Sequence, residues 1–189
     1  MKVSREQVAE NRRRILEAAG RLFRERGFEA VTVADVMKAA GLTHGGFYGH
    51  FKSKDDLIAQ TLASALTSSV PDEIDLAGFA AGYLSARHCN DLAGGCPTAG
   101  LGAETIRQAP EARAAMTAGL RRQIELLSPS APGGSAAEKR RAAIGSWAAM
   151  VGAVILARMS DDPALSDEML KETGAWIAAK SMRARPADA

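Results

Sequence analysis

Aromatic residues make up only 5% of this 189-residue chain, and it holds two cysteines and three histidines. Cys89 and Cys96 are too few for a disulfide framework and are expected to stay reduced. His44, His50 and His88 stand at no metal-ligand spacing with them, so no metal is expected, and nothing asks for a cofactor. β-branched residues are sparse while alanine is plentiful, which argues against sheet and for helix. No apolar run approaches the ~20 residues that cross a bilayer. The N-terminal MKVSREQVAENRRR lacks the apolar segment of a signal peptide. The expected compartment is the cytoplasm, with no membrane partner.

What remains is a chain with 47% apolar and 24% charged residues, as in a globular protein with a sizeable core. Its net charge of +2 hides an asymmetry. Residues 1–54 hold eleven Lys/Arg against six Asp/Glu, a balance of +5, and the rest balances at −3. A basic head on a mildly acidic body suits a polyanionic partner, and it equally suits a solvated charged face.

Helix punctuation runs along the whole chain. Ser4 and Gln7 can form a capping box for a helix to Arg26, stopped by Gly27, with Val8, Ile15, Ala18, Ala19, Leu22 and Phe23 on one apolar face. Thr32 and Asp35 cap a short helix from Val33 to Ala39 or Ala40, stopped at Gly41. Thr43 begins a third to about Gly49, and Ser53 with Asp56 begins a fourth. Asp75 to Asn90 reads as one helix, and Cys96-Pro97 opens another with proline at its first position. Pro110 to Leu127 is the next. Ser135 and Glu138 cap a long helix, Ala136 to Ser160, and Asp162-Pro163 or Ser166 starts the last, which frays near Arg183. The tail RPADA is expected to be disordered. No strand pattern is visible.

The stretch Thr43-His-Gly-Gly-Phe-Tyr-Gly-His-Phe-Lys-Ser-Lys54 is odd for a helix built for stability. Each of Gly45, Gly46 and Gly49 costs ~1 kcal/mol relative to alanine inside a helix. Two short helices around a glycine-containing turn make a helix-turn-helix, and a recognition helix in a major groove needs backbone open to close approach. Thr43, His44 and Tyr48 can hydrogen-bond bases or phosphates. Thr32 and Lys54 stand at helix starts, where N–H groups and a cation suit phosphate.

From Thr32 to Leu57 the sequence resembles the DNA-binding domain of the TetR family of bacterial repressors: Ala-Gly-apolar in the turn, then a small residue, Gly, aromatic-Tyr, any residue, His-Phe, and Lys before an acidic pair. The resemblance covers about residues 8–60 and implies an all-α protein. It places a three-helix helix-turn-helix domain at 1–54 and a helical effector-binding and dimerisation domain at 55–189. It also implies that Phe47 and Phe51 are core, that Tyr48, His50 and Lys54 lie at the DNA backbone, that Thr43, His44 and Gly45 face bases, and that Gly46 allows close packing. The implied partners are double-stranded DNA with a palindromic operator, a small-molecule effector and a second copy of the chain.

The rest of the chain is compatible with that. The helix after Ser135 carries Ile144, Trp147, Val151, Val154 and Ile155 with Gly145, Ala149, Gly152 and Ala153 between them. Small residues let a helix of a second copy approach, giving a four-helix interface; packing within one chain is the plainer alternative. Effector-binding candidates are Phe79, Tyr83, His88, Cys96, Ile106, Leu120 and Trp147, with Arg87, Thr105, Met116 and Ile124 behind them, and plain core is the alternative for each. Cys96 comes after Gly94-Gly95 at a helix start, where unpaired N–H groups and the dipole favour an anion such as a thiolate. The run Gly95-Cys-Pro-Thr-Ala-Gly-Leu-Gly-Ala-Glu104 resembles a TetR subgroup with a Gly-Cys-Pro motif, and some family members with Gly-Cys here respond to electrophiles or oxidants. Cys96 is then a redox switch, a ligand-lining residue, or a small cap packed beside Pro97. An enzyme using Cys96 as nucleophile and His88 as base would lack a third group and leave the helix-turn-helix idle. A helical protein-binding adaptor would show no salt-dependent DNA affinity. The expectation is a DNA-binding regulator and no enzyme.

Overall fold

The computed structural model describes residues 4–67 and 74–183, and among these there is no strand. The tail RPADA lies outside the described residues. Among the described residues nine α-helices succeed one another: α1 Arg5–Ala30, α2 Val33–Ala39, α3 Lys54–Thr67, α4 Leu76–Tyr83, α5 Ala86–Asn90, α6 Pro97–Thr105, α7 Pro110–Leu127, α8 Ala136–Met159 and α9 Pro163–Arg183. A 3-10 segment, His44–Gly49, lies between α2 and α3. The all-helical expectation holds.

The chain divides into two compact units. The first joins Met1–Ser68 to Leu92–Gly119, and the second joins Ser69–Asp91 to Leu120–Ala189. The first unit therefore includes α6 and the opening of α7 beside the N-terminal helices. Its core is built from Ile15, Phe23, Phe28, Val36, Met37, Phe47, Phe51, Leu57, Leu62 and Leu101, all buried. Val8, assigned to the apolar face of α1, is instead 40% exposed.

Local caps explain most boundaries. Ser4 Oγ accepts from the Gln7 amide, but the Gln7 side chain turns to Asn11, so the box is only half formed. Gly27 breaks the helical path at φ +81°, where the sequence placed the stop, and the helical residues beyond it, to Ala30, follow after a kink. The left-handed turn there suits glycine, and a Cβ would lie 2.7 Å from Glu104 Oε1. Glu104 uses that space: its Oε2 accepts from the Phe28 amide at 2.7 Å, tying α6 to the end of α1. At the other end of α6, Arg24 Nε donates to the Ala93 carbonyl at 2.6 Å.

In the second unit α8 packs along α9, and α4 and α5 rest on them. Ser135 and Glu138 form the full capping box, and Asp162 Oδ1 accepts from the Ala164 and Leu165 amides, which settles the start of α9 at Pro163. The single helix expected over 75–90 is two. Leu84 leaves the helical region at ψ 27°, and Ser85 caps α5 by accepting from the His88 amide at 3.2 Å. The Tyr83 carbonyl is taken by His88 Nδ1 at 2.6 Å. Since a carbonyl only accepts, Nδ1 carries the proton. Arg158 of α8 donates to the Cys89 carbonyl at 2.9 Å and the His88 carbonyl at 3.2 Å, closing the end of α5.

The expectation that no apolar run is long enough to cross a membrane is corrected by α8. By length and composition Ala136–Met159 is apolar enough, with a mean hydropathy of 1.6 over its most apolar stretch. Alanine, glycine and valine raise that mean without a block of large side chains. Ala143, Trp147, Met150, Val154 and Ala157 bury one side of the helix in the second unit, as a core helix does.

Candidate nucleic-acid interface

The helix-turn-helix is assembled from backbone bonds first. α2 starts with a complete box: the Asp35 amide donates to Thr32 Oγ1 at 3.1 Å, and the Thr32 amide donates to Asp35 Oδ2 at 2.9 Å. Donors from Thr32, the hydroxyl first and then the amide, hold the Asp35 carboxyl below the usual carboxylate range. α2 ends in a Schellman turn. The Leu42 amide reaches the Met37 carbonyl at 2.9 Å, the Gly41 amide reaches the Lys38 carbonyl at 3.0 Å, and Gly41 takes φ +67°.

The next segment is shorter and tighter than the α-helix expected from Thr43. His44–Gly49 is a 3-10 turn, and Thr43 at its start makes no side-chain cap bond. Three glycines in six residues leave the α-form without support, and the tighter turn forms where neighbours hold it. The hold comes from two aromatics. Phe47 is 1% exposed and Phe51 2%, with ring centroids 5.7 Å apart and nearly parallel. Both are core, as the family resemblance implies.

Around that anchor Thr43, His44, Gly45, Gly46 and Tyr48 are exposed, and Tyr48 is 73% accessible with its ring edge-on to Phe47. A Cβ on Gly45 or Gly49 would meet nothing within 4 Å, so that side of the turn is bare backbone open to close approach. On Gly46 it would meet Met37 Cε at 3.7 Å, an ordinary contact. Thr32 is exposed at the start of α2, Lys54 is half-buried at the start of α3, and His50 is half-buried with its carbonyl bonded to Arg12. The proposed DNA-facing residues thus share one unit. The Thr32 amide and hydroxyl, however, are already engaged by Asp35.

Sequence reasoning missed what the basic head does. Arg12 donates to the His50 carbonyl at 2.8 Å and lies 4.6 Å over the Phe51 ring. Arg14 donates to the Ala40 carbonyl at 2.6 Å, beside Gly41. Arg13 binds Glu10 and Glu17. These arginines brace the turn or pair along α1, so counting charges overstates the cations offered to a polyanion.

The effector candidates do not gather into one place. Phe79, Tyr83, Trp147 and His88 form a cluster in the second unit, with centroids 5.2 Å apart for Tyr83–Trp147, 6.3 Å for Phe79–Trp147 and 4.4 Å for Tyr83–His88. Trp147 Nε1 is buried without a hydrogen-bond partner. Burial, first of all, lowers the His88 pKa below 6.5, helped by Arg158 and opposed by the Tyr83 carbonyl. Leu120 is half-buried in the same unit. Cys96 and Ile106 belong to the first unit, where Ile106 is 73% exposed. Cys96 is the N-cap of α6, half-buried, with no side-chain cap bond, and Pro97 is in the first turn. Cys89 is buried in the second unit, and the two cysteines are not joined. Among the described residues no group of three His, Cys, Asp or Glu could hold a metal ion.

By its fold and its braced turn, the chain belongs to the class of all-helical proteins with an N-terminal helix-turn-helix. Residues 15–61 match the family described as "Bacterial regulatory proteins, tetR family", so the chain carries a tetR-family helix-turn-helix domain. The HTH-type transcriptional regulator TtgR of Pseudomonas putida is 37% identical over 83 residues, covering 40% of each chain. The HTH-type transcriptional repressor KstR2 of Mycolicibacterium smegmatis is 38% identical over 60 residues, 32% of this chain and 29% of the repressor. The match thus spans well under half of these relatives. Over nearly the whole length the fold resembles the reduced form of E. coli NemR, with a TM-score of 0.75, 23% identity, and 90% and 97% of the two chains covered. It also resembles TylP, a tetR regulator from Streptomyces fradiae, with a TM-score of 0.64, 25% identity, and 96% and 93% covered. TtgR, KstR2 and TylP are regulators by name.

Proposed function

We propose that the protein is a transcriptional repressor that binds a palindromic operator as a homodimer and releases it when a small molecule binds the second unit. One observation carries the reading above others: the exposed trio Thr43, His44 and Tyr48 sits on a turn locked by buried Phe47 and Phe51. A rigid anchor under polar, glycine-opened backbone suits a major groove, with Thr43 and His44 at base edges and Tyr48 and Lys54 at phosphates. One short recognition segment reads too few bases alone, so two copies about one DNA turn apart, ~34–36 Å, supply the specificity.

The second unit supports dimerisation and effector binding. Ile144, Leu156, Met159, Leu165 and Trp176 leave apolar surface on α8 and α9, and a Cβ on Gly145 or Gly152 would meet nothing within 4 Å. The Phe79–Tyr83–Trp147 cluster with the unpartnered Trp147 N–H suits a flat apolar ligand carrying a hydrogen-bond acceptor. Operator binding would place the protein's work in the bacterial cytoplasm. Selection of bound duplexes from a random pool tests this reading. A palindromic consensus is expected, and recovery of no consensus sinks it.

A second reading makes Cys96 the switch. It is favoured by the ties of α6 to α1 at both ends, through Arg24–Ala93 and Glu104–Phe28, so that an adduct on the N-cap would load the DNA-reading unit. A structural neighbour crystallised in a state called reduced is in keeping with it. Operator binding with and without an electrophile, in the parent, Cys96→Ser and Cys89→Ser, decides between the readings. Release that persists in Cys96→Ser leaves the noncovalent effector.

A further inference from the structure

One cavity of the first unit belongs neither to the DNA-reading turn nor to the aromatic cluster. It has a volume of about 420 Å³ and is walled by α1, α3 and the Gly94–Pro97 approach to α6. Two guanidinium groups stand on its wall, Arg21 and Arg24. Its one carboxylate, Glu17, is bonded to Arg13, so the wall is cationic on balance. Arg24 is fixed there by its bond to the Ala93 carbonyl. The nine-residue α6 begins at the rim, its N-cap makes no side-chain cap bond, and its first residue, Pro97, has no N–H. The positive end of that helix therefore adds its field to the cavity.

The independent observation is Thr61 of α3, which lines the same cavity. Within a helix a threonine hydroxyl usually returns to the carbonyl four residues back. Thr67 does so at 2.7 Å, Thr105 at 2.8 Å and Thr117 at 2.9 Å. Thr61 is 2% exposed and its hydroxyl has no partner at all. An unmade bond in a buried place destabilises a fold unless something else uses the group. The Thr61 methyl lies 3.6 Å from where a Cβ on Gly20 would be, on the cavity side. One ~120° step about χ1 carries the hydroxyl to the place the methyl holds, and the methyl to the place of the Cβ hydrogen, which turns a donor to the cavity.

We propose that this cavity binds a small oxyanion, a carboxylate or phosphate group carried on a small molecule, held by Arg21, Arg24, the Thr61 hydroxyl and the start of α6. Two cations, a helix start and a donor without other use form a set that matches such a group and little else. Binding here is separate from an effector at the aromatic cluster and does not depend on operator binding.

The test is thermal unfolding of the full chain, purified without phosphate, titrated with inorganic phosphate and separately with succinate at matched ionic strength, with chloride as control. A saturable rise in Tm above chloride is expected with at least one of them, and the one that acts identifies the carried group. Arg21→Gln, at an exposed position, should leave the ligand-free Tm in place and weaken the anion about tenfold. Thr61→Val should raise the ligand-free Tm by about 2–4 °C by removing the unpartnered hydroxyl, and at the same time shrink the anion-dependent rise. A Thr61 that merely packs would not move the two in opposite directions. No saturable shift above chloride with either anion, or parental affinity in both variants, overturns the site. The readout contains no DNA, so failure of operator binding would leave the result standing.

Discussion

The two units are held together by different means. In the first, long side chains reach across sequence to single backbone groups: Arg12 to His50, Arg14 to Ala40, Arg24 to Ala93 and Glu104 to Phe28. Among the described residues of the second, Arg158 clamps the end of α5 and Ser130 Oγ accepts from the Leu76 amide at 3.0 Å, while the larger share is aromatic and aliphatic packing along α8 and α9. A directed hydrogen bond fixes an angle, whereas apolar packing tolerates exchange of shape at similar volume. The difference suits the proposed roles, in which the first unit holds a turn in one geometry and the second takes up a ligand and a second copy.

The contrast can be broken most severely at the anchor. Phe47→Ala should destabilise the first unit by about 3–5 kcal/mol and abolish DNA binding, read by urea denaturation and duplex titration. An unchanged denaturation midpoint would show that the turn does not depend on that ring. Next is the polar tie. Glu104→Ala leaves the Phe28 amide without its charged acceptor and should cost about 1.5–3 kcal/mol in the same experiment, with the helical content kept. If the first unit relied on apolar packing alone, the loss would be close to zero.

On the other side, the first side-chain carbon at Gly152 would meet no neighbour within 4 Å, so the folded monomer should tolerate Gly152→Leu. A paired face would be overpacked by about 1–3 kcal/mol. Light scattering should therefore show a dimer in the parent and dissociation in the variant, and a stable parental monomer at micromolar concentration would remove the dimer. Lys54→Ala removes no buried side chain and should change stability by under about 0.5 kcal/mol, and Tyr48→Ala, which loses the edge-on contact with Phe47, by about 0.5–1.5 kcal/mol; both should weaken binding to all duplexes and, for Lys54, lower the salt slope by about 1. Thr43 and His44 substitutions should shift sequence preference instead.

The smallest effect concerns pH. The folded His88 pKa lies below 6.5, so the unfolded chain binds the proton more readily. Stability should fall as pH drops through 6.5 towards the folded value, and be fully present above 6.5. His88→Gln should flatten that part of the stability–pH curve, and an unaltered slope would place its origin elsewhere. The Asp35, Asp56 and Glu138 carboxyls are held low by amide and hydroxyl donors, so their contribution is lost only at more acid pH.

Much of this architecture could be read from the sequence, because caps are local. Thr32 with Asp35, Ser135 with Glu138, and Pro97 act within a few residues, and their helices start where those residues stand. Phe47 and Phe51 were legible through the family pattern. What escaped were features decided at a distance. The split at Ser85 depends on His88 folding back to the Tyr83 carbonyl and on Arg158 from α8, neither visible in the apolar rhythm of 75–90. The roles of Arg12, Arg14 and Arg24 depend on carbonyls 38, 26 and 69 residues away. Charge and spacing could not tell a brace from a phosphate contact.

The tie between Glu104 and Phe28 also sets an order of events during synthesis. The first unit is discontinuous: its N-terminal helices leave the ribosome early, but α6 comes after the whole of α4 and α5. At about 5–20 residues per second the nascent chain waits several seconds before residue 119 has been added and the unit can close. During that wait the Phe28 amide lacks its carboxylate and the Arg24 side chain lacks its carbonyl. The end of α1 can thus be tied down only after part of the second unit has been made. A chain truncated before α6 would keep Phe47, Phe51, Arg12 and Arg14 around its recognition turn, yet be born with the end of α1 untied.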